Sequence, residues 1–189
     1  ASDVPITDLI ADRYKNTVFV ACLTAAIGVP ISLALGIVAA MYPGSLYDRI
    51  LTLISVSLVA APEFLTATIL VLLFVFALGV GNAIVMGSTE GKGVFELIAH
   101  FALPITTLCF VIASQLIRMS RAAVLNVMSS PYIEMAILKG MPRRRIIFRH
   151  ALLNAVGPLV NVVALNLAYL VTGVIVVEVY FGYNGLATL

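Results

Sequence analysis

Four long apolar runs, at residues 17–41, 50–78, 97–117 and 151–177, decide what this chain can become. A helix rises about 1.5 Å per residue, so about 20 apolar residues cross the ~30 Å hydrocarbon core of a bilayer. Inside lipid the backbone must satisfy its own hydrogen bonds, and runs of this length do so as helices. The second run would extend about 43 Å as one helix. It must tilt strongly or break, and Ala61-Pro62-Glu63 marks the break, because proline removes a backbone donor. Composition agrees: 62% of residues are hydrophobic, 11% are charged, and mean hydropathy is +1.13. Soluble domains have about 45–50% and about 25%. The expected fold class is all-α, a polytopic helical membrane protein with four spans, and residues 1–189 form a single transmembrane domain.

Residues 1–16 are mixed and polar and are expected outside the bilayer. In the first run Gly28, Ser32, Gly36 and Ala40 recur at every fourth position. Such a stripe lets another helix backbone approach closely; lining a pore is its other use. Pro30 is a kink position. A turn is expected at 42–49, which contains Pro43-Gly44, and a loop at the glycine-rich 79–96. Gly87 to Lys92 invites comparison with a phosphate loop, but three residues separate its glycines where four are needed, and Gly93 stands where Ser or Thr should follow the lysine. Cys22 and Cys109 fall inside apolar runs and read as small buried side chains, not as a disulfide or a metal pair.

Four spans put the 42–49 turn and the long 118–149 segment on one side of the membrane. Of the 11 Lys and Arg, only Arg13, Lys15 and Lys92 fall on the other side. The positive side is the cytoplasmic one. The helix of the third run is expected to continue past Arg118 and Arg121 into the cytosol.

Polar residues within the runs are the candidates for a translocation path: Glu63, Gln115, Asn154 and Asn161. Glu63 is the one acid placed deep in a run. It either lies near a substrate route or gate, or it closes the half-helix that starts after Pro62. Asn154 and Asn161 are two helical turns apart and share a face, while Asn166 points elsewhere. Amides in such helices either join helices or line an aqueous path. His100 reads more readily as a hydrogen-bonded anchor than as a ligand. No Walker lysine, H-E-x-x-H motif or cysteine cluster points to catalysis or to a metal site.

The polar, basic stretch from Ser129 to Pro158 reads as two short helical pieces joined by a bend. Ser130 is placed to cap a helix over 131–139, Pro131 suits its first position, and Glu134 lies in its first turn. Lys139 falls in the last turn and Gly140 is a stop residue. Pro142 and Arg143 restart the chain toward the last apolar run.

Glu134-Met135-Ala136, then Gly140, the basic turn and Pro158, resembles the EAA loop of ABC-importer permeases. That pattern runs Glu-Ala-Ala, three residues, Gly, and a later Ile-x-Leu-Pro. Met135 replaces its first Ala, and Val156-Gly157-Pro158 replaces its ending. Further stretches are similar to the dipeptide/oligopeptide subgroup: Arg13-x-x-Asn16-Thr17, Gly44-Ser45 with Asp48-Arg49, Arg118 to Arg121, His150 to Ala155, and Phe181 to Leu186.

The resemblance implies a permease subunit, a piece of a six-span chain with one span before Ala1 and one after Leu189. Residues 129–145 would be a cytoplasmic coupling loop, in which Glu134, Ala136, Gly140, Pro142 and Arg143 meet an ATPase. A bulky residue at Gly140 is expected to abolish transport and ATPase association. The implied partners are two ATP-binding cassette subunits, a second and distinct permease chain, an extracytoplasmic substrate-binding protein facing residues 178–189, and membrane lipid, with no nucleic acid. The chain itself would hold no cofactor, ATP and Mg belonging to the ATPase. The expected place is a bacterial or archaeal cytoplasmic membrane. The implied cargo is a short peptide, with nickel and glutathione importers as relatives. The competing expectations are a self-sufficient carrier or channel, and a bare membrane anchor. Carriers usually show internal repeats and several deep ionisable groups, and neither is visible here.

Overall fold

The computed structural model describes residues 6–81, 83–85 and 93–188, and every described element is helical. The glycine-rich segment compared above with a phosphate loop lies outside the described residues, apart from Gly93. Helix α1 is Ile6–Met41, so the helix begins well before the apolar run that starts at residue 17. A turn at 42–45 leads to α2 (Leu46–Ala60). The second run breaks where proline predicts it: α3 begins at Glu63 and runs to Val71, and a π-helical turn over Leu72–Ala77 ends it. After the loop come α4 (Val94–His100) and α5 (Ala102–Met128), parted at Phe101. Helix α5 does pass Arg118 and Arg121.

Helix α6 is Pro131–Leu138 and α7 is Arg143–Ile146. A π-helical turn over Ile147–Ala151 joins α7 to α8 (Leu152–Phe181), and the 3-10 turn Leu186–Thr188 follows. The two short helical pieces joined by a bend are therefore present, with Gly140 in the bend, and the basic residues run on as helix into the last span, because Arg and Ile are adequate helix formers. Helices α1, α5 and the run into α8 are long and apolar enough to cross a membrane, and α2 with α3 forms a fourth span if that broken pair counts as one. The chain is a multi-pass, all-α membrane protein.

Two compact units divide the chain: Ala1–Gly28, Ala61–Val111 and Ala168–Leu189 form one, Val29–Ala60 and Ile112–Leu167 the other. In the first, aromatic rings make the core. Phe101, Phe181 and Tyr183 are fully buried, and Phe101 meets Tyr183 edge-on with centroids 5.3 Å apart. Tyr180 donates to Thr68 Oγ1 at 2.9 Å, joining α8 to α3, and Val85 N–H donates to Phe181 O at 3.0 Å. Cys22 is exposed on α1 and Cys109 half-buried, both free, so only the second approaches the buried role expected for the pair.

In the second unit small residues set the packing. Ser32, Gly36 and Ala40 of the stripe are all buried. A Cβ on Gly36 would collide with Ser120 Oγ and stand 2.7 Å from Ile117 O, so α1 and α5 touch almost backbone to backbone. Ala40, Val124, Ala155 and Leu159 form one core cluster beside this contact. Where water offers no hydrophobic drive between spans, such close contact holds helices together.

Candidate functional site

Helix α6 has eight residues and spans about 12 Å. Its first position is Pro131, but Ser130 does not cap it as expected. The Ser130 hydroxyl donates instead to Val127 O at 2.5 Å, a carbonyl at the end of the preceding helix that also accepts from Ser130 N–H at 3.1 Å. The far end is closed by backbone alone. Gly140 N–H donates to Ile137 O at 2.9 Å and Met141 N–H to Ala136 O at 3.3 Å, with Gly140 at φ +72°. This is the Schellman arrangement, and Met141 packs on the cluster that holds Ala136, as that motif favours. Pro142 O then accepts from Arg145 N–H at 2.9 Å and starts α7. Arg143 opens that helix; its side chain lies outside the described part.

One face of α6 is committed inward. Ile133 and Ala136 form a cluster with Ile146 and Ala151, tying α6 to the α7–α8 run. Burying Ile133 alone is worth about 1.5–3 kcal/mol. The opposite face is open: Tyr132 is 43% exposed, Met135 55% and Leu138 75%, and Glu134 is exposed beside them. Of the expected coupling residues, Glu134, Gly140 and Pro142 are therefore outward, while Ala136 points into the chain's own core. The arrangement is a short helix packed from behind on the start of a membrane-spanning run, with an apolar face left open in front.

A second feature in the same unit went unread in the sequence as a contact. Asp48, 3% exposed at the start of α2, accepts from Arg121 Nε at 2.5 Å and Nη2 at 2.8 Å. It also accepts from Gly44 N–H at 2.8 Å, and Ser45 Oγ accepts from Asp48 N–H at 3.2 Å. A two-pronged ion pair of this kind fixes angle as well as distance. It locks the α1–α2 turn to α5, the helix that leads into α6. The two residues lie 73 positions apart, beyond the reach of local patterns.

The residues expected to line a path fall as follows. Glu63, half-buried in the first turn of α3, belongs to the first unit; a Cβ on Gly173 would sit 3.2 Å from its Oε1, so α8 passes close to the carboxylate. Gln115, Asn154 and Asn161 belong to the second unit. Gln115 is half-buried. Asn154 and Asn161 are both exposed, as a shared face requires, and Asn154 donates to His150 O, in the π-helical turn that precedes α8, at 2.8 Å. Asn166, on the other side of α8, is the buried amide, donating to Val162 O at 2.8 Å and lying 3.8 Å from Met119 Sδ on α5.

Helix α8 extends past the expected end of the fourth span, so Glu63 of α3 is not the one acid within the helices that continue the apolar runs: Glu178 lies inside α8 and is fully buried. Its Oε1 accepts from Ala187 N–H at 2.5 Å and Thr188 N–H at 3.0 Å, and Thr17 Oγ1 lies 3.1 Å from Oε2. Arg13 donates to Thr188 O at 2.5 Å, and Asn16 to Asn184 O at 2.9 Å. The first and last stretches quoted from the sequence thus meet around one carboxylate. The signal available beforehand was an acid alone in the apolar string Val176-Val177-Glu178-Val179. Burial, and then the charge of Glu178, push the neighbouring Tyr183 phenol well above its ordinary pKa.

Comparison with known proteins adds an independent line. Residues 32–189 match the model of the family described as binding-protein-dependent transport system inner membrane component. The chain is 30% identical over 187 residues to a probable peptide ABC transporter permease protein of Sinorhizobium fredii, covering 98% of this chain and 59% of the relative. It is 31% identical over 185 residues to the glutathione transport system permease protein of Escherichia coli K12, covering 98% and 58%. The same figures hold for the protein of that name in Shigella dysenteriae. The chain therefore spans less than two thirds of the length of these relatives.

Proposed function

The chain belongs to the family of binding-protein-dependent transport system inner membrane components, and from that premise we propose that it works as a permease subunit of an ABC importer, moving short peptides or a related solute such as glutathione by ATP-driven alternating access. The observation that carries this is α6, because no other described part is so plainly built to be pushed. It is short, stiff, closed by Gly140, and fastened through Ile133 and Ala136 to the start of the α8 run. Its free face presents Tyr132, Met135 and Leu138. That face would dock in a cleft of an ATPase subunit. Ala136 then serves from behind, as the small residue that lets α6 lie close to Ile146 and Ala151, while Glu134 stands beside the docking face. Residues 129–145 act as the coupling loop.

ATP and Mg would bind in the ATPase partners. A second permease chain, distinct from this one, would complete the path, and Glu63, Gln115, Asn154 and Asn161 are this chain's contribution to it. The loop after α8 would meet an extracytoplasmic binding protein, and the assembly would sit in a bacterial or archaeal cytoplasmic membrane. A self-sufficient carrier is the weaker alternative: it gives the free face of α6 nothing to do.

Purification of the full-length chain from its native membrane in mild detergent, with mass spectrometry of what accompanies it, tests the assignment. An ATPase and a second permease are expected, the ATPase being lost when Leu138 and Met135 are both changed to Asp. A chain that comes down without either would overturn the assignment.

A further inference from the structure

We propose that Glu178 is a positioning residue, whose buried carboxylate holds the segment after α8 in the shape that the binding protein meets. The inference rests on the proposed contact between that segment and the binding protein.

An acid with no exposed surface inside an apolar helix is expensive unless its oxygens are satisfied. Here the donors are backbone N–H groups of Ala187 and Thr188 and the Thr17 hydroxyl. The same short turn has its carbonyl side held from the other direction. Arg13 Nη1 donates to Thr188 O at 2.5 Å and lies 3.4 Å from Gly185 O. The turn is gripped at both ends of its peptide dipole, by an anion at its N–H groups and a cation at its C=O groups. Leu186 N–H donates to Thr17 Oγ1 at 3.0 Å, and Asn16 donates to Asn184 O. Gly185 is required by space: a Cβ there would overlap the Glu178 carboxylate.

Helix α8 does not need this grip to end properly. Gly182, at φ +67°, closes it with a bond from its N–H to Glu178 O at 2.9 Å. Phe181 and Tyr183 are anchored separately in the aromatic core. Losing the carboxylate would therefore release Asn184 to Thr188 while leaving the spans in place. The outward side of that segment exposes Asn184, Leu186 and Ala187, the groups a docking protein would touch. If the released segment is in the competent shape about a tenth of the time, apparent affinity falls about tenfold.

The test uses the complete reconstituted importer. ATP hydrolysis is titrated with the binding protein, and a photo-crosslinker is placed at Asn184. Crosslinking to the binding protein is expected. Glu178→Ala and Gly185→Ala should each raise the half-saturating concentration of binding protein about tenfold while the maximal rate stays within about twofold. Glu178→Gln, which keeps an acceptor for both N–H groups and can donate to Thr17, should remain near wild type. Crosslinking with unchanged half-saturation in both alanine variants overturns the positioning role and leaves the docking contact standing. No crosslink in the otherwise native protein overturns both. A lower maximal rate at unchanged half-saturation, or loss of assembly in both alanine variants, also overturns it, because the carboxylate would then hold the fold and not the segment.

Discussion

Removing Arg121 should harm the protein more than removing its partner. The Asp48 side chain is 4% exposed and that of Arg121 27%. Arg121→Ala leaves a buried carboxylate with Gly44 N–H in place of a matched guanidinium. Stranding one member of a buried pair costs about 3–5 kcal/mol, and the partial exposure of Arg121 places this pair near the lower end, at about 3 kcal/mol. Asp48→Ala leaves a guanidinium whose long stem can lift it toward water, and Gly44 is exposed, so its freed N–H can be hydrated; about 1 kcal/mol is lost. At about 2–4 °C per kcal/mol for a chain of this size, the two variants lose about 6–12 °C and about 2–4 °C. The double variant should resemble Asp48→Ala, not the sum. The temperature at which half of the detergent-solubilised full-length protein survives size-exclusion chromatography measures all three. Equal losses, or additive ones, would refute the view that the charge on Asp48 is what needs its partner.

Gly36→Ala should separate α1 from α5 and cost about 1–3 kcal/mol by overpacking, only partly recovered by Ser120→Gly because Ile117 O remains in the way; the same thermal assay reads it. Gly140 should respond to backbone conformation more than to bulk, since nothing lies within 4 Å of a Cβ there while φ is +72°. Gly140→Asn should be tolerated better than Gly140→Ala, which costs about 1–2 kcal/mol, and Gly140→Val should be worst, as measured by ATPase retention on purification.

What the sequence revealed follows from the range of the forces involved. The spans, the break at Pro62, the stop at Gly140 and the packing role of Gly36 depend on residues within one or two helical turns, so their patterns are local. The bend expected at Gly140 is present, and its left-handed backbone is what a side chain there would strain. Ser130 looked like a cap because its type and place fit; a closer carbonyl at the end of α5 won the hydroxyl. The Asp48–Arg121 pair and the Glu178 cluster join segments 73 and about 160–170 residues apart, which only the folded chain brings together. Both had a trace in the sequence, an acid at the edge of an apolar run, but nothing there names the partner. Ala136 shows the opposite case. The resemblance picked out the residue, and the structure turns it inward, which leaves Tyr132, Met135 and Leu138 as the open face.

The most direct test is uptake by the complete importer in sealed vesicles, with the binding protein and radiolabelled dipeptide or glutathione outside and ATP enclosed on the side of α6. The permease assignment predicts accumulation that requires enclosed ATP and disappears when Met135 and Leu138 are both changed to Asp. Equal accumulation without ATP, or full ATP-driven accumulation by that double variant, would contradict the assignment of α6 as the contact through which transport is driven.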